Sequence, residues 1–379
     1  MIKKETDILI IGGGLAGLIN AIHLSRAGLS VILVEKNEYP KHKVCGEFIS
    51  NEVLPYLQHL DADPMTLGAK KIDRLLISTA RGKTIETKLP SGGFGISRYT
   101  LDHFLFQKSL QNNCTVIQDA VTEVIFTDDM FRVTTNEGKV MTAKIVIGAY
   151  GKRSKLDVTL DRSFIKSKSP FIGVKTHLKG DFPEDLVALH NFKGGYCGVS
   201  QVENGDINVC FLASYKTFQQ YKNIENYKQE VLYKNKHLKS IFENSVPVFE
   251  QPLTISQISF LNKSPVEEHI LMCGDAAGMI HPLSGNGMAI AIHSAKIASE
   301  LIIKYFNKKI KSRTELETMY SIKWNKEFKR RIATGRVLQS FFGKDNLAQI
   351  VMYGITHIPG ILPAIIRQTH GKPINVLLA

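Results

Sequence analysis

After Asp7, residues 8–11 read Ile-Leu-Ile-Ile, an apolar run without alternation, as a strand buried on both faces of a parallel sheet requires. Glycines end the run at residue 12. Ala21, Ile22, Leu24 and Ala27 then recur at helical spacing up to Gly28, and a second apolar strand at residues 31–34 finishes on Glu35. Farther on the period changes. Residues 72–78 and 83–88 predict strands joined at Arg81-Gly82, and a helix follows from about residue 101 to 110. Residues 115–118, 121–127, 131–135 and 144–147 predict a meander. A helix is expected to begin near Ser50.

From residue 164 to 260, alternating stretches at 171–177, 186–192, 195–201 and 206–213 predict an antiparallel sheet, followed by a charged helical portion at 217–242. A short strand then enters Gly274-Asp275-Ala276-Ala277-Gly278. After Gly285-Asn286-Gly287 comes a nearly all-apolar helix from Met288 to about residue 303, which must be buried. Residues 316–337 read as a charged amphipathic helix. Residues 347–355 and 361–366 are short apolar pieces broken by His357-Ile358-Pro359-Gly360. The predicted class is α/β. A discontinuous Rossmann-like domain takes residues 1–70, 98–163 and 264–305, a substrate domain takes 71–97 and 164–263, and a helical cap takes 306–379.

Gly12-Gly13-Gly14-Leu15-Ala16-Gly17 is a GxGxxG pattern between strand and helix. Gly12 permits the tight turn, Gly14 lets a pyrophosphate approach the backbone, and Gly17 lets helix and strand pack closely. The helix N-terminus offers unpaired N–H groups to that pyrophosphate. Glu35 follows Gly14 by 21 residues, placed to accept from adenosine ribose hydroxyls. The motif alone does not separate FAD from NAD. Asp275 at a strand end can accept from a sugar-alcohol chain, and amides at the next helix start can face a ring that becomes anionic. Reduced isoalloxazine has that need and nicotinamide does not, which favours FAD.

The formal net charge of +13 comes from scattered lysines, with a local cluster at Lys308, Lys309, Lys311 and Arg313 that reads as a solvated connection. Basic residues are not interleaved with aromatics on any strand, so nucleic acid is not an expected partner. An acidic carrier protein, a phosphorylated substrate or an anionic membrane surface suits the charge better. Five cysteines without a CxxC pair imply neither a disulfide framework nor a metal site, and a cytoplasmic, reducing compartment fits. The apolar run near the N-terminus belongs to the fold rather than to a signal peptide.

Cys45 and Glu47 flank Gly46 in a polar loop just behind the nucleotide half, where a loop can pass over a cofactor ring. Composition alone favours a buried free cysteine and a surface glutamate. Arg98, ahead of a helix, reads either as an anion or sugar contact or as an ordinary exposed arginine. The small residues Gly148-Ala149-Tyr150-Gly151 after a strand allow a second close approach to a ligand.

Taken together, Gly12 to Gly17, Glu35, Cys45-Gly46-Glu47, Arg98, and Gly274-Asp275 with Pro282 and Gly285 to Gly287 resemble the FAD-dependent geranylgeranyl reductase family. That family lies within the group similar to p-hydroxybenzoate hydroxylase, and the resemblance spans roughly residues 5–300. It implies a glutathione-reductase type of FAD domain. It also implies that Glu35 binds adenosine ribose, Arg98 the ribityl–pyrophosphate region, Asp275 the ribityl and pyrophosphate, and the Gly285–Gly287 amides the pyrimidine edge. Cys45 then lies near the reactive ring. The expected cofactor set is Gly12, Gly14, Leu15, Ala16, Gly17, Glu35, Lys36, Cys45, Arg98, Val121, Gly151, Gly274, Asp275, Gly285, Asn286, Gly287 and Met288. Cys45 and Glu47 are the expected catalytic residues, and no metal ligand is expected.

The chain departs from its relatives in two places. Tyr150-Gly151 replaces the Asp-Gly pair through which hydroxylases engage NAD(P)H, so reduction in that manner is not expected. Residues 195–199 lack the Trp and Phe-Pro of the prenyl reductases' Tyr-x-Trp-x-Phe-Pro segment. The halogenases' Trp-x-Trp-x-Ile-Pro is missing too, since Trp324 is the only tryptophan. The expected activity is flavin-dependent reduction or dehydrogenation at carbon–carbon bonds of an apolar, isoprenoid or lipid-like substrate. The alternative is a monooxygenase, and a flavin-containing binding or electron-transfer protein comes third. The electron donor is NAD(P)H, ferredoxin or a flavin reductase. The apolar C-terminal pieces, with Arg367, His370 and Lys372, read as a packed helical pair or as a lipid portal touching a membrane surface.

Overall fold

The computed structural model describes residues 4–167, 169–281, 285–342, 366, 368 and 370–375. Two sheets carry the site. In the first, the order is Val266–Glu267, Ile270–Met272, Val140–Gly148, Lys4–Ile11, Val31–Glu35 and Thr115–Gln118. Its four central pairings are parallel, with Ile8 opposite both Val31 and Ile145, Ile32 opposite Thr115, and Leu271 opposite Ile147. Unbroken apolar runs suit this position because both faces are covered. Ile8, Leu9 and Ile10 are fully buried, and Val31 to Val34 are nearly so. Each such side chain contributes about 1.5–3 kcal/mol when removed from water.

The helices Leu15–Arg26 and Gly287–Phe306 pack against each other, the second built of small and apolar residues that let it lie deep. The helix Arg313–Phe342 adds Leu316, Tyr320, Trp324, Phe328 and Ile332 to the same core as the first sheet. Residues 347–355 and most of 361–366, predicted as apolar helical pieces, lie outside the described residues, as do Pro282 and Arg367.

The second sheet has nine strands. Its main path is Val246–Pro247, Phe171–Lys179, Ile207–Ser214, Gly195–Gln201, Leu186–Phe192, Lys70–Ser78, Thr84–Gly95 and Phe48–Ser50, with Leu253–Ile255 pairing to Phe171–Lys179. Most pairings are antiparallel, as the alternation predicts, but Leu186–Phe192 runs parallel to Lys70–Ser78. Three short helices, Tyr215–Phe218, Ile224–Glu230 and Lys236–Glu243, follow it, and Tyr227 and Leu238 join its apolar cluster.

Two local expectations change. Residues 115–118, predicted as the first arm of a meander, are instead an edge strand parallel to Val31–Glu35, whereas Val121–Thr127, Met130–Thr135 and Val140–Gly148 do pair antiparallel in succession, the last of them also running parallel to Lys4–Ile11. Burial on both faces toward the end of Val140–Gly148 suits its second role as a central parallel strand. Near Ser50, the chain makes the strand Phe48–Ser50 and a single tight turn before the helix Leu54–His59 begins. No helix among the described residues is long and apolar enough to cross a membrane.

Candidate cofactor and substrate site

The turn after the first strand is shaped by what glycine leaves out. Gly12 has φ +101°, and a Cβ there would lie 2.6 Å from the Ala149 carbonyl oxygen. A Cβ on Gly17 would stand 1.9 Å from the Gly12 oxygen. At Gly14 the only atom a Cβ would meet is Arg98 Nη2, at 3.7 Å. Gly14 is also the N-cap of Leu15–Arg26 and brings no capping side chain, so the first helical amides are left for another acceptor.

Gly14, Leu15 and Ala16 open onto a cavity of about 400 Å³ between the two sheets. The same wall receives Cys45, Glu47, Arg98, Gly151, Gly274, Asp275, Gly285, Asn286, Gly287 and Met288 from distant parts of the chain. Gly12 and Gly17 lie behind the wall and set the turn. Glu35, Lys36 and Val121 stand off the cavity. Glu35 is buried at its strand end, where Oε2 accepts from the Gly13 amide at 2.6 Å and Oε1 from the Asn37 amide at 2.9 Å. The Tyr39 hydroxyl donates to the Gly13 carbonyl at 2.5 Å. Lys36 is exposed, and Val121 is buried at the start of its strand.

Arg98 begins the helix Arg98–Gln111 behind its Ser97 cap. Its guanidinium holds Asp102 through Nε at 2.7 Å and Nη2 at 2.8 Å, and Lys43 reaches the same carboxylate at 2.7 Å. Burial opposes the charge on both partners, yet mutual attraction outweighs it, keeping Arg98 protonated and Asp102 ionised. Asp275 follows Gly274, whose φ is +61°. Burial raises the Asp275 pKa against the pull of Lys263, Arg98 and Lys152, and its carboxylate has no hydrogen-bond partner among the described residues. Burial also lowers Lys152 and Lys263 to about 8.

The loop at residues 45–47 crosses to the second sheet. Cys45 Sγ lies 3.5 Å from Met288 Sδ, and burial pushes its thiol pKa up. Asn208 Nδ2 donates to the Gly46 carbonyl at 2.8 Å and to that of Cys45 at 3.3 Å. Glu47 has φ +52° and no solvent exposure. Its Oε1 takes Lys175 Nζ at 2.5 Å and the Arg98 amide at 2.8 Å, while Oε2 takes His177 Nε2 at 2.7 Å. Burial would raise the Glu47 pKa, but the His177 hydrogen bond and the Lys175 charge outweigh it and hold the acid ionised. The expected surface glutamate beside a cofactor loop is thus a buried anion. Its carboxylate oxygens serve Lys175, His177 and Arg98 rather than the Cys45 thiol.

Sequence reasoning passed over Lys175, His177 and Asn208. The signal was there in Phe-Ile-Gly-Val-Lys-Thr-His-Leu, where two basic residues two apart interrupt an otherwise buried strand. Beyond this polar edge the cavity is apolar, with Phe48, Leu75, Ile77, Leu89, Val187, Leu189, Ile255, Ile258 and Ile366. Tyr196, Gly198 and Val199, from the segment corresponding to the prenyl reductases' aromatic motif, also line it. Among the described residues, no group of histidine, cysteine and acidic side chains could hold a metal.

The glycine-lined amides at residues 14–16 and 285–287, together with the Asp275 carboxylate, fit FAD. They offer donors for phosphate and ring oxygens and an acceptor for sugar hydroxyls. The FAD binding domain family matches residues 5–313. A digeranylgeranylglycerophospholipid reductase of Methanosarcina acetivorans is 24% identical over 358 residues, covering 90% of this chain and 85% of that protein. Digeranylgeranylglycerophospholipid reductase 2 of Methanosphaera stadtmanae is 26% identical, covering 78% and 77%. Among solved structures, the flavin-dependent halogenase CmlS superposes with a TM-score of 0.79 at 17% identity, covering 99% of this chain and 75% of that one. At that identity the likeness shows the fold alone.

Proposed function

The chain belongs to the FAD binding domain family and is an FAD-dependent oxidoreductase, and from that premise we propose that it reduces carbon–carbon double bonds of a long apolar, isoprenoid or lipid-like substrate. The observation that carries the reading is one continuous cavity, with phosphate- and flavin-type donors at one end and aliphatic side chains at the other. The relatives named as reducing geranylgeranyl lipids support it.

In this reading the amides of Gly14, Leu15 and Ala16 bind the pyrophosphate, and Arg98 adds positive charge beside Gly14. Glu35, with Lys36 and Val121 on its flank, serves the adenosine end. Asp275 accepts from the ribityl chain, and Gly285 to Met288 hold the pyrimidine edge. Reduced FAD supplies the hydride. Cys45, as a neutral thiol, and Met288 shape the floor on which the double bond rests, while Leu75, Ile77, Leu89, Val187 and Leu189 exclude water from the tail. Electrons come from a separate acidic carrier drawn to this basic chain.

The test is anaerobic. Dithionite-reduced holoenzyme is mixed with a geranylgeranyl glycerol ether lipid, and the product is weighed by mass spectrometry. Two added hydrogens per double bond with return of oxidised FAD is the expected result. No reoxidation without air, and oxygen in the product with air, would replace this reading by that of a monooxygenase.

A further inference from the structure

The cavity wall at Asp275 is fastened from behind. Lys263 donates from Nζ to the Asp275 carbonyl at 2.7 Å and to the Lys152 carbonyl at 2.8 Å, and the same ammonium lies 4.2 Å from the centroid of the buried Phe164 ring. Gly151, Lys152, Gly274 and Asp275 all line the cavity, and Lys263 stands outside that lining. One side chain thus ties the turn after Val140–Gly148 to the turn after Ile270–Met272. Arg162 makes a second fastening one residue on, where it donates to the Ala276 carbonyl at 2.9 Å and to the Ser264 carbonyl at 3.2 Å.

The two cations differ in how their charge is answered. Arg162 holds Asp157 at 2.9 Å, with Glu267 at 3.7 Å. Lys263 has carbonyl and aromatic partners only, and Asp275 and Asp157 act on it through space. Lys152, on the wall itself, donates to the Ser256 carbonyl and likewise meets Asp275 only through space. With Asp157 taken up by Arg162, Asp275 is the carboxylate left to answer both lysines. Carbonyl groups satisfy the hydrogen bonds of an ammonium without cancelling its charge, and an uncancelled charge drawn out of water is costly. Such a charge is understandable where an anion arrives with the ligand. FAD brings its pyrophosphate, and its ring adds a further negative charge on reduction.

We propose that Lys263 is a positioning residue for FAD, which holds the Asp275 turn and the Gly151–Lys152 turn at one spacing and, together with Lys152, supplies a positive field that favours reduced over oxidised cofactor. Lys263 acts through the backbone of Asp275 and Lys152, so the Asp275 carboxylate stays free to face the cavity. The role belongs to the FAD-dependent oxidoreductase as such. It holds whichever bond of the substrate reacts, and so stands apart from the carbon–carbon reductase reading.

Two measurements on the holoenzyme test this, and neither needs a substrate. FAD release is followed as the growth of free-flavin fluorescence after dilution, and the two-electron potential is read by equilibration with a reference dye in the absence of air. Lys263→Met should release FAD about tenfold faster, through the lost charged hydrogen bonds. It should also shift the balance about tenfold toward oxidised cofactor, a fall of about 30 mV for two electrons. Lys263→Arg restores charge and donors and should bring both values back toward wild type. A wild-type release rate and potential in Lys263→Met overturn the proposal. Faster release at an unchanged potential makes Lys263 a brace of the fold alone, and overturns it as well. Should Lys263→Met fail to fold or to hold FAD, Lys152→Met removes the other ammonium while leaving the Lys263 fastening to the residue 152 carbonyl in place. Its potential should fall in the same direction, and an unchanged potential there is equally fatal.

Discussion

The glycine turn at residues 12–17 and the loop at residues 45–47 face one cavity, but the first is braced by its neighbours along the chain and the second by a different sheet. Gly13 is held by Glu35 and Tyr39, 22 and 26 residues away. Glu47 is held by Lys175 and His177, 128 and 130 residues away. A local brace forms with its own β–α–β unit. A distant one exists only once both sheets have met, so the 45–47 loop reports on the docking of the two sheets.

The hardest blow to the local brace is Gly17→Val. Its side chain must displace the backbone of Gly12, since even a Cβ would approach the oxygen to 1.9 Å. The expected cost is about 3 kcal/mol with loss of FAD, read by thermal unfolding and by flavin content after denaturation. A folded, yellow Gly17→Val would mean that the turn has slack that its contacts deny.

Lys175→Met strikes the distant brace. It leaves the Glu47 charge buried without its ammonium partner, the Arg98 amide and His177 remaining as hydrogen-bond partners, and about 3 kcal/mol is expected. The sign with pH sharpens the comparison. The Glu47 pKa is depressed below its ordinary 4.5 in the folded protein, so its stabilisation is present above that value and is lost as pH falls through the folded one. The gap between wild type and Lys175→Met should therefore be widest at neutral pH and close in acid. Adding Glu47→Gln to Lys175→Met should recover part of the loss, because an amide needs no counter-ion. If the double variant is worse than the single, the cluster is held by something other than charge.

The same contrast explains what the sequence discloses. Gly12, Gly14, Gly17 and Glu35 could be read because strand, turn and helix follow one another, and each glycine has a steric reason within that unit. Asp275 and Gly285 to Gly287 were legible as a second strand-to-helix turn. Val121 and Lys36, like Glu35, sit off the cavity. Lys175, His177 and Asn208 gave no local signal tying them to residues 45–47, since strand register across some 130 residues decides the contact. For the same reason the strand at residues 115–118, parallel to Val31–Glu35, reads in sequence as a meander arm: hydropathy records burial, not the neighbour.

Glu35→Lys is a milder test of the local brace. It removes the acceptor for the Gly13 and Asn37 amides and for any ribose hydroxyl, while Tyr39 still holds the Gly13 carbonyl. FAD affinity should fall by about 1–3 kcal/mol, roughly 5- to 150-fold in Kd by fluorescence titration, with little change in fold. An unchanged Kd would detach Glu35 from the adenosine end.

The smallest expected effect on stability, and the finest probe of the distant brace, is Cys45→Ser. The loop is held at the Gly46 and Cys45 carbonyls by Asn208 and at Glu47 by Lys175 and His177, none of which touches the thiol. Removing sulfur should therefore leave the loop in place, cost less than about 1 kcal/mol and leave FAD content intact. The thiol's side-chain contact, 3.5 Å to Met288 Sδ, sits beside the proposed pyrimidine edge. Since burial raises the thiol pKa above the ordinary 9.0, Cys45 is protonated at neutral pH, and iodoacetamide should label it slowly until the solution is strongly alkaline. A thiol in that state is a poor nucleophile, which suits the proposed role of shaping the cavity. Cys45→Ser should accordingly slow reoxidation of reduced FAD by the lipid, or shift which double bond is reduced, at full cofactor loading. Loss of FAD would make the cysteine part of the brace, and unchanged kinetics and products would leave the loop's backbone, not its sulfur, as what the second sheet is built to hold.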